Sequence, residues 1–594
     1  MSTDENPNQI ARSFLRLPGR VADVVTWMNI LHWERAAERV LPRIGAAICI
    51  VVLTGLIFRA LLVPTHFSVW AYGDAQMFNA GEHFAHEGFV AHDFLPEIDP
   101  GNPHSFIVNN GPNGRYAHYP ALHAIVNGVL IYAAERLGFR DVVQVKAGLQ
   151  VVYLSIVALG LLGYFGAIKR VCGALVATLF TVFLASSPWV TGFGDSLCDQ
   201  ALNIALLGAY LLVVVRRFES GTPAAFNGWI ALLVFLMARN SIELLPLCLV
   251  FTLFYGLVMN AVNGRALRRI AVFYVSSVVA PLVLALGLQF YQSYIDLGGR
   301  EPFLSHWNTV FLNRVGVRGY DFTHFYQFLT IRAVESLVLV VLMLFLGAVL
   351  FAAARDGQEP RRRHVMQKAG FLLALALGFT AFPTIMPLQA LLMQPYTPAY
   401  VYVPMMLLAL ATAISSGPSW WDWLPRRNAR LIAATRLATA SVAIVFVISS
   451  VTWSGLALLV DPLSVTRPSD YFWALNTFDR QKLAYFSQPD VRGAVAQFTR
   501  GTDILLFPPD FQGGDPHEVN PIIEFYIQRH GVIASGQWNL DYICRVITRD
   551  RIRLEGTWKA YSRPTLYVVP ETSPQLSADD FARRLTSVWP PSCD

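Results

Sequence analysis

Residues 226–258 read FNGWIALLVFLMARNSIELLPLCLVFTLFYGLV, and the division of this run decides the topology of the whole chain. Read as one helix, it buries Arg239, Asn240, Ser241 and Glu243 mid-way through lipid, where polar and charged side chains are costly. It also reverses the sidedness of every later loop. Read as two helices turning near residues 239–243, it keeps the polar residues at a membrane surface. The second reading is adopted, and the rest of the topology follows from it.

Outward from this hairpin, the chain of 594 residues is 54% apolar and only 14% charged, with mean hydropathy +0.43. Soluble domains carry about 25% charge. The apolar residues gather in runs of about 18–25, the length of a transmembrane helix. These features predict an all-α polytopic membrane protein. About eleven spans are expected, near residues 44–63, 145–167, 171–190, 201–215, 224–237, 244–259, 270–291, 329–354, 369–393, 399–415 and 438–460. Residues 1–43 are Arg-rich, and no signal-peptide apolar region or cleavage site precedes Ile44. Val21, Val24, Trp27, Met28 and Leu31 recur at helical spacing there and predict a cytoplasmic amphipathic segment.

With the N-terminus inside, Lys169/Arg170, Arg216/Arg217, Arg265/Arg268/Arg269, Arg355 with Arg361, Arg362 and Arg363, and Arg426/Arg427/Arg430 all face the cytoplasm. The net charge of +6 then reflects cytoplasmic loops, not nucleic-acid binding. A domain at 44–460 carries outer loops at 64–144 and 293–327. The apolar segment 118–137 holds His118, His123, Asn127 and Glu135, and is expected to lie on the outer face as a juxtamembrane helix. After residue 460 short β-rich runs (DILLFPP, GVIAS, TLYVVP) alternate with helical patterns (DVRGAVAQFTR, NPIIEFYIQRHG, SADDFARRLTSV). Residues 461–594 are therefore expected to form a small α/β extracytoplasmic domain. Cys544 and Cys593 fall in it, either as a disulfide or as two thiols, with Cys198 as a rival partner.

The outer loops hold the chemistry-bearing residues. After the first span, YGDAQMFNAGEHFAHEGF has helical period: Met77, Ala80, Gly81 and Phe84 share one face, and Gln76, Asn79, His83 and Glu87 the other. Asp74 stands near the start of this helix, where an N-cap is the simplest role. A second acidic turn, TGFGDSLCDQALNIALL, offers Asp195 and Asp199, one of which could cap the fourth span. Arg59 lies near the outer end of the first span, so it either snorkels or finds an anion. Arg239 could pair with Glu243. Tyr396 and Tyr400 sit at another outer turn, as an aromatic belt or a sugar subsite. His83 and Glu87 have a workable metal-ligand spacing, but two residues do not make a site. No cofactor is assigned, a divalent cation being possible.

This arrangement resembles the GT-C membrane glycosyltransferases, in the branch of protein O-mannosyltransferases and lipid A aminoarabinose transferases. The matching residues are Asp74 soon after the first span, His118-Tyr119-Pro120 opening a second outer helix, and Asp195/Asp199 between the third and fourth spans. MARNSIELLP is similar to the family's polar turn. The sequence departs from many relatives in having one acid, not two, in GDAQ.

The resemblance implies transfer of a sugar from a polyprenyl-phosphate donor to an acceptor hydroxyl at the outer face of a bacterial inner membrane. The acceptor would be a glycan, lipid or protein. Asp74 is then the general base. Arg59, Arg115 and Arg239 are candidates for the donor phosphate, with Arg314 and Arg318 further ones. His83, His118, Tyr119, Tyr396 and Tyr400 would line the substrate. Three other readings compete: an envelope polymerase or ligase working through Arg300, Arg314 and Arg318, a secondary transporter, and a non-catalytic assembly protein.

Overall fold

The computed structural model describes residues 30–63, 67–68, 71–96, 120–220, 225–241, 244–263, 267–315, 344, 347 and 359–385. In the C-terminal region it describes 485–499, 503–511, 519, 521–528, 530–533, 566–570 and 575–588. The spans expected at 399–415 and 438–460, and nearly all of 329–354, lie outside the described residues. So do Cys544 and Cys593.

The chain is mostly helical. Five of its described helices are long and apolar enough to cross a membrane: Pro42–Leu62, Val142–Cys172, Asp199–Glu219, Leu244–Asn263 and Leu267–Asp296. Shorter apolar helices run over Ala174–Ser186, Gly228–Asn240 and Val365–Phe379. In chain order the bundle is α1 (Ile30–Leu62), α2 (Ala71–Glu87), α3 (Leu122–Arg136), α4 (Val142–Cys172), α5 (Ala174–Ser186), α6 (Pro188–Phe193), α7 (Asp199–Glu219), α8 (Gly228–Asn240), α9 (Leu244–Asn263), α10 (Leu267–Asp296), α11 (Arg300–Val315) and α12 (Glu359–Ile385). Large apolar side chains on the outer faces of these helices are exposed, among them Leu159 and Leu162 on α4 and Val283 and Leu284 on α10. Such continuous apolar surface suits lipid rather than water.

The helix pair α4/α7 is the spine. A Cβ on Gly160 would come within 2.5 Å of the Ala205 Cα, and one on Gly163 within 2.5 Å of the Gly208 carbonyl carbon. The small residues let the two backbones touch, as in many transmembrane pairs. Arg170 near the end of α4 pairs with Glu219 at the end of α7 at 2.9 Å. The basic pairs Lys169/Arg170 and Arg216/Arg217 thus lie at one end of the bundle, where they also complement the helix dipoles.

The stretch at 226–258 is interrupted as its polar residues predict. Helix α8 ends at Asn240, Ser241 is extended (φ −155°, ψ 132°), and α9 starts at Leu244. The Asn240 side chain donates to the Asp199 carbonyl at 2.9 Å, so the break sits beside the start of α7, opposite the basic end. Helix α10 carries a π-turn at Val275–Val279. There the Ser277 hydroxyl accepts the Asn227 N–H at 2.9 Å, holding the start of α8.

The C-terminal region contains α13 (Pro489–Phe498), β1 (Ile504–Phe507), α14 (Pro521–Ile527), β2 (His530–Ile533), β3 (Leu566–Val568), α15 (Ala578–Arg584) and β4 (Thr586–Val588). The strands form one small sheet in the order β2-β1-β3-β4, with β1 parallel to β2 and β3, and β4 antiparallel to β3. Residues 586–588, read from sequence as the tail of a helix, are this edge strand. β-Branched Thr586 and Val588 favour the pairing. Phe486, Phe507, Phe511 and Phe581 interlock beneath the sheet. Helix α14 packs on α2, where the Phe525 ring meets Phe67 and Phe78 edge-on, each at 5.0 Å.

Candidate functional site

Asp74 lies in the first turn of α2 and is fully buried. It does not cap its own helix, because α2 starts three residues earlier. Instead it binds two other segments. Its Oδ1 accepts the Ser196 hydroxyl at 2.6 Å and the backbone N–H groups of Leu197 and Cys198 at 2.9 and 3.2 Å. Its Oδ2 accepts the Ser68 N–H at 3.0 Å. The carboxylate thereby satisfies donors of the second acidic turn, just before α7 begins. Burial pushes its carboxyl up to about 6, with Asp195 adding a smaller rise that hydrogen bonds from Ser196 and Ser68 oppose.

The two acids of that turn have different partners. Asp195 is fully buried and pairs with Arg59 at 3.0 Å, while Arg59 also donates to the Thr191 carbonyl at 3.2 Å. Of the two expectations for Arg59, the anion is the one seen, and it is an internal one. Asp199 opens α7 and accepts from the Gln200 and Asn203 amides at 3.0 and 3.2 Å. Asn203 in turn accepts from Asn240 at 2.8 Å. Asp195 therefore belongs to a charged group with Arg59 and Asp74, and Asp199 to a neutral amide net.

A second cation completes the charged group. Lys146, in the first turns of α4, is fully buried. Its ammonium lies 4.3 Å above the Phe67 ring. Asp195 and Asp74 are the opposite charges acting on it. Asn127 of α3 ties the neighbouring pieces together: it donates to the carbonyls of Met77 (3.1 Å) and Leu197 (2.9 Å) and accepts the Tyr153 hydroxyl at 2.7 Å. Close approach of α2 and α3 requires Gly81 and Gly128, since a Cβ on either would come within 2.7 Å of the other helix. His123 is buried beside Met77, and burial pulls its imidazole down to about 4, so it is neutral.

The remaining sequence candidates scatter. His83 lies on α2 nine residues beyond Asp74, about 13 Å along the helix axis, and bonds to Glu87 at 3.0 Å. Glu87 also bonds His92 at 2.8 Å. Among the described residues no group of three His, Cys, Asp or Glu side chains could hold a metal ion. Arg239 is buried at the end of α8 and donates to Gln289 of α10 at 2.5 Å. Among the described residues no carboxylate pairs with it; Glu243 lies outside them. Arg115, His118, Tyr119, Arg318, Tyr396 and Tyr400 also lie outside the described residues, as does the side chain of Arg314.

Sequence reading passed over Lys146, Tyr153, Ser196, Asn203 and Gln289. A signal was present for two of them. Lys146, Gln150 and Tyr153 recur at i, i+4 and i+7, a polar stripe on an otherwise apolar helix.

No protein-family model matches the chain, and no curated protein does. Solved structures do resemble it. The Archaeoglobus fulgidus oligosaccharyltransferase, tethered with an acceptor peptide, is 12% identical with a TM-score of 0.41, over 89% of this chain and 69% of that one. The same enzyme has been solved with an inhibitory peptide and a dolichol-phosphate (12%, TM-score 0.40, the same shares). ArnT from Cupriavidus metallidurans, bound to undecaprenyl phosphate, is 13% identical with a TM-score of 0.42, over 90% of this chain and 94% of that one. Both proteins are members of the GT-C superfamily.

Proposed function

We propose that this chain is a membrane glycosyltransferase that moves a sugar from a polyprenyl-phosphate donor to an acceptor hydroxyl, with Asp74 as general base. The observation that carries the reading is the state of Asp74. It is a buried carboxylate at the loop end of the bundle, raised toward the pH at which a base works. Its Oδ1 accepts three donors of the second acidic turn, and Oδ2, which faces the 67–68 segment through the Ser68 N–H, is the oxygen assigned to take the proton.

The leaving lipid phosphate needs a fixed cation. Arg59 is neutralised by Asp195 and serves the site from within. Arg239 is the better anchor: its guanidinium is buried against a neutral amide with no carboxylate paired to it among the described residues, and a buried cation favours an anion. The break at Ser241 keeps Arg239 at the membrane surface, where a lipid phosphate lies. In this reading the acid-bearing end is the outer face of a bacterial inner membrane. The chain has about eleven spans, and residues 461–594 form an extracytoplasmic domain.

The test is a membrane assay with a panel of radiolabelled polyprenyl-phosphate sugars. Asp74→Asn should lower transfer at least ~100-fold, and Arg239→Gln should raise the donor KM. Wild-type transfer by Asp74→Asn would remove the base assignment. The helix interruption at Ser241, flanked by buried Arg239 and Asn240, favours a transporter as second reading. That reading predicts accumulation of an unmodified polar solute in sealed vesicles with no glycosidic bond broken.

A further inference from the structure

Among the described residues, the C-terminal region meets the 67–68 segment through Phe525 and Tyr526 of α14. Helix α14 presents Phe525 to a notch between Phe67 and Phe78, both rings edge-on at 5.0 Å, and Tyr526 adds a second edge to Phe67 at 6.3 Å. Phe525, Phe67 and Phe78 are all buried. Phe67 is the ring beneath the Lys146 ammonium, and the next residue, Ser68, supplies the N–H held by Asp74. Phe78 is on α2, one turn beyond Asp74. At the far side of α14, Gln528 donates to Glu82 of α2 at 3.0 Å, and Arg492 of α13 pairs with Asp141 at the start of α4 at 2.9 Å.

We infer that Phe525 is a positioning residue: by wedging Phe67 and Phe78 it holds the 67–68 segment and the start of α2 closed over the Lys146–Asp74–Asp195 group. The C-terminal region is then a working part of the site rather than an appended module. The inference extends the glycosyltransferase reading but its geometry stands apart from that reading. Edge-to-face aromatic pairs add to the area they bury, so two such pairs fasten the 67–68 segment and α2 to one ring of α14. When the wedge is removed, water reaches both carboxylates. Water then screens Asp74 from the groups that face it: Asp195 with Arg59, Lys146 from α4, and Cys198 and Tyr153 beside it.

The readout that needs no activity is Cys198. Its thiol is buried and its backbone N–H is held by Asp74. In full-length protein in native membranes, with the other five cysteines replaced, Cys198 should resist maleimide in the wild type. Phe525→Ala should raise its modification rate at least tenfold, and Phe525→Leu, which refills most of the notch, should restore protection. Phe486→Ala, which opens the aromatic core under the sheet without touching Phe67, should have a smaller effect. Where transfer is measurable, Phe525→Ala should move its acid limb to lower pH, since hydration releases Asp74 toward the ordinary carboxylate range.

Protection of Cys198 unchanged in Phe525→Ala overturns the inference. So does equal labelling in Phe525→Ala and Phe525→Leu. Labelling as expected in a wild type that transfers no sugar leaves this inference standing and removes the glycosyltransferase reading.

Discussion

Asp74→Asn separates a working carboxylate from a structural staple through its effect on stability. Asp74 is fully buried, and its carboxyl rises from 3.8 to about 6. A carboxyl whose folded pKa is raised contributes stability that is complete below pH ~4 and is lost as pH rises through ~6. At 1.36 kcal/mol per unit, the ionised form carries a burden of about 3 kcal/mol at pH 7.5 and about 1.6 kcal/mol at pH 5. Asparagine keeps an oxygen for Ser196, Leu197 and Cys198 but turns an NH2 toward the Ser68 N–H, which costs about 1–3 kcal/mol. The variant should therefore be equal to the wild type or up to about 2 kcal/mol more stable at pH 7.5. Relative to the wild type it should lose about 1.4 kcal/mol on going to pH 5. The assay is unfolding by SDS titration in mixed micelles at both pH values. Glu82 and His123 titrate alike in both proteins, so they cancel in the difference; Lys146 loses an opposite charge in the variant, which adds to the relative loss at pH 5. A pH-independent difference, or a loss above about 4 kcal/mol at both pH values, would refute the reasoning. Asp74 would then be a contented hydrogen-bond acceptor with no strain to spend on proton transfer.

Three further outcomes follow from the packing. Arg59→Ala and Asp195→Ala should each destabilise by about 3–5 kcal/mol, because each strands a buried charge; Arg59→Met with Asp195→Leu should cost less than either, as a double-mutant cycle in the same micelles would register. Asn127→Leu should cost about 2–4 kcal/mol, by removing the donor to the Met77 and Leu197 carbonyls and leaving the Tyr153 hydroxyl only its longer bond to the His123 carbonyl at 3.4 Å; native-state hydrogen exchange should show the loss at α2 and the 195–198 turn first. Gly208→Leu should drive α4 and α7 apart, because Gly208 packs on the Gly160 carbonyl with no room for a Cβ; yield of folded monomer on size exclusion is the check, with Gly148→Leu, which meets open space, as the control.

The legible part was what depends on one residue and its near neighbours. Apolar runs of spanning length marked the helices, because lipid requires long apolar helices whatever their partners. Arg239, Asn240 and Ser241 marked the break in 226–258, since polar groups and a continuing lipid-embedded helix exclude each other. The faces of α2 followed from a 3.6-residue period: Met77, Ala80, Gly81 and Phe84 share one face, which the structure buries. Asp74 was visible as an acid near a helix start, but its role as the clamp of another turn was not.

That role depends on a distance across 122 residues of chain, from Asp74 to Ser196. Local pattern carries no information about which distant donor meets a carboxylate. For the same reason the sequence leaves Arg59 between snorkelling and an anion, and only the packing of α1 beside α6 gives it Asp195. Lys146 and Phe525 show the limit most clearly. Each looked like an ordinary member of its segment, and each became part of the Asp74 surroundings only when α4, α14 and the 67–68 segment folded onto one point.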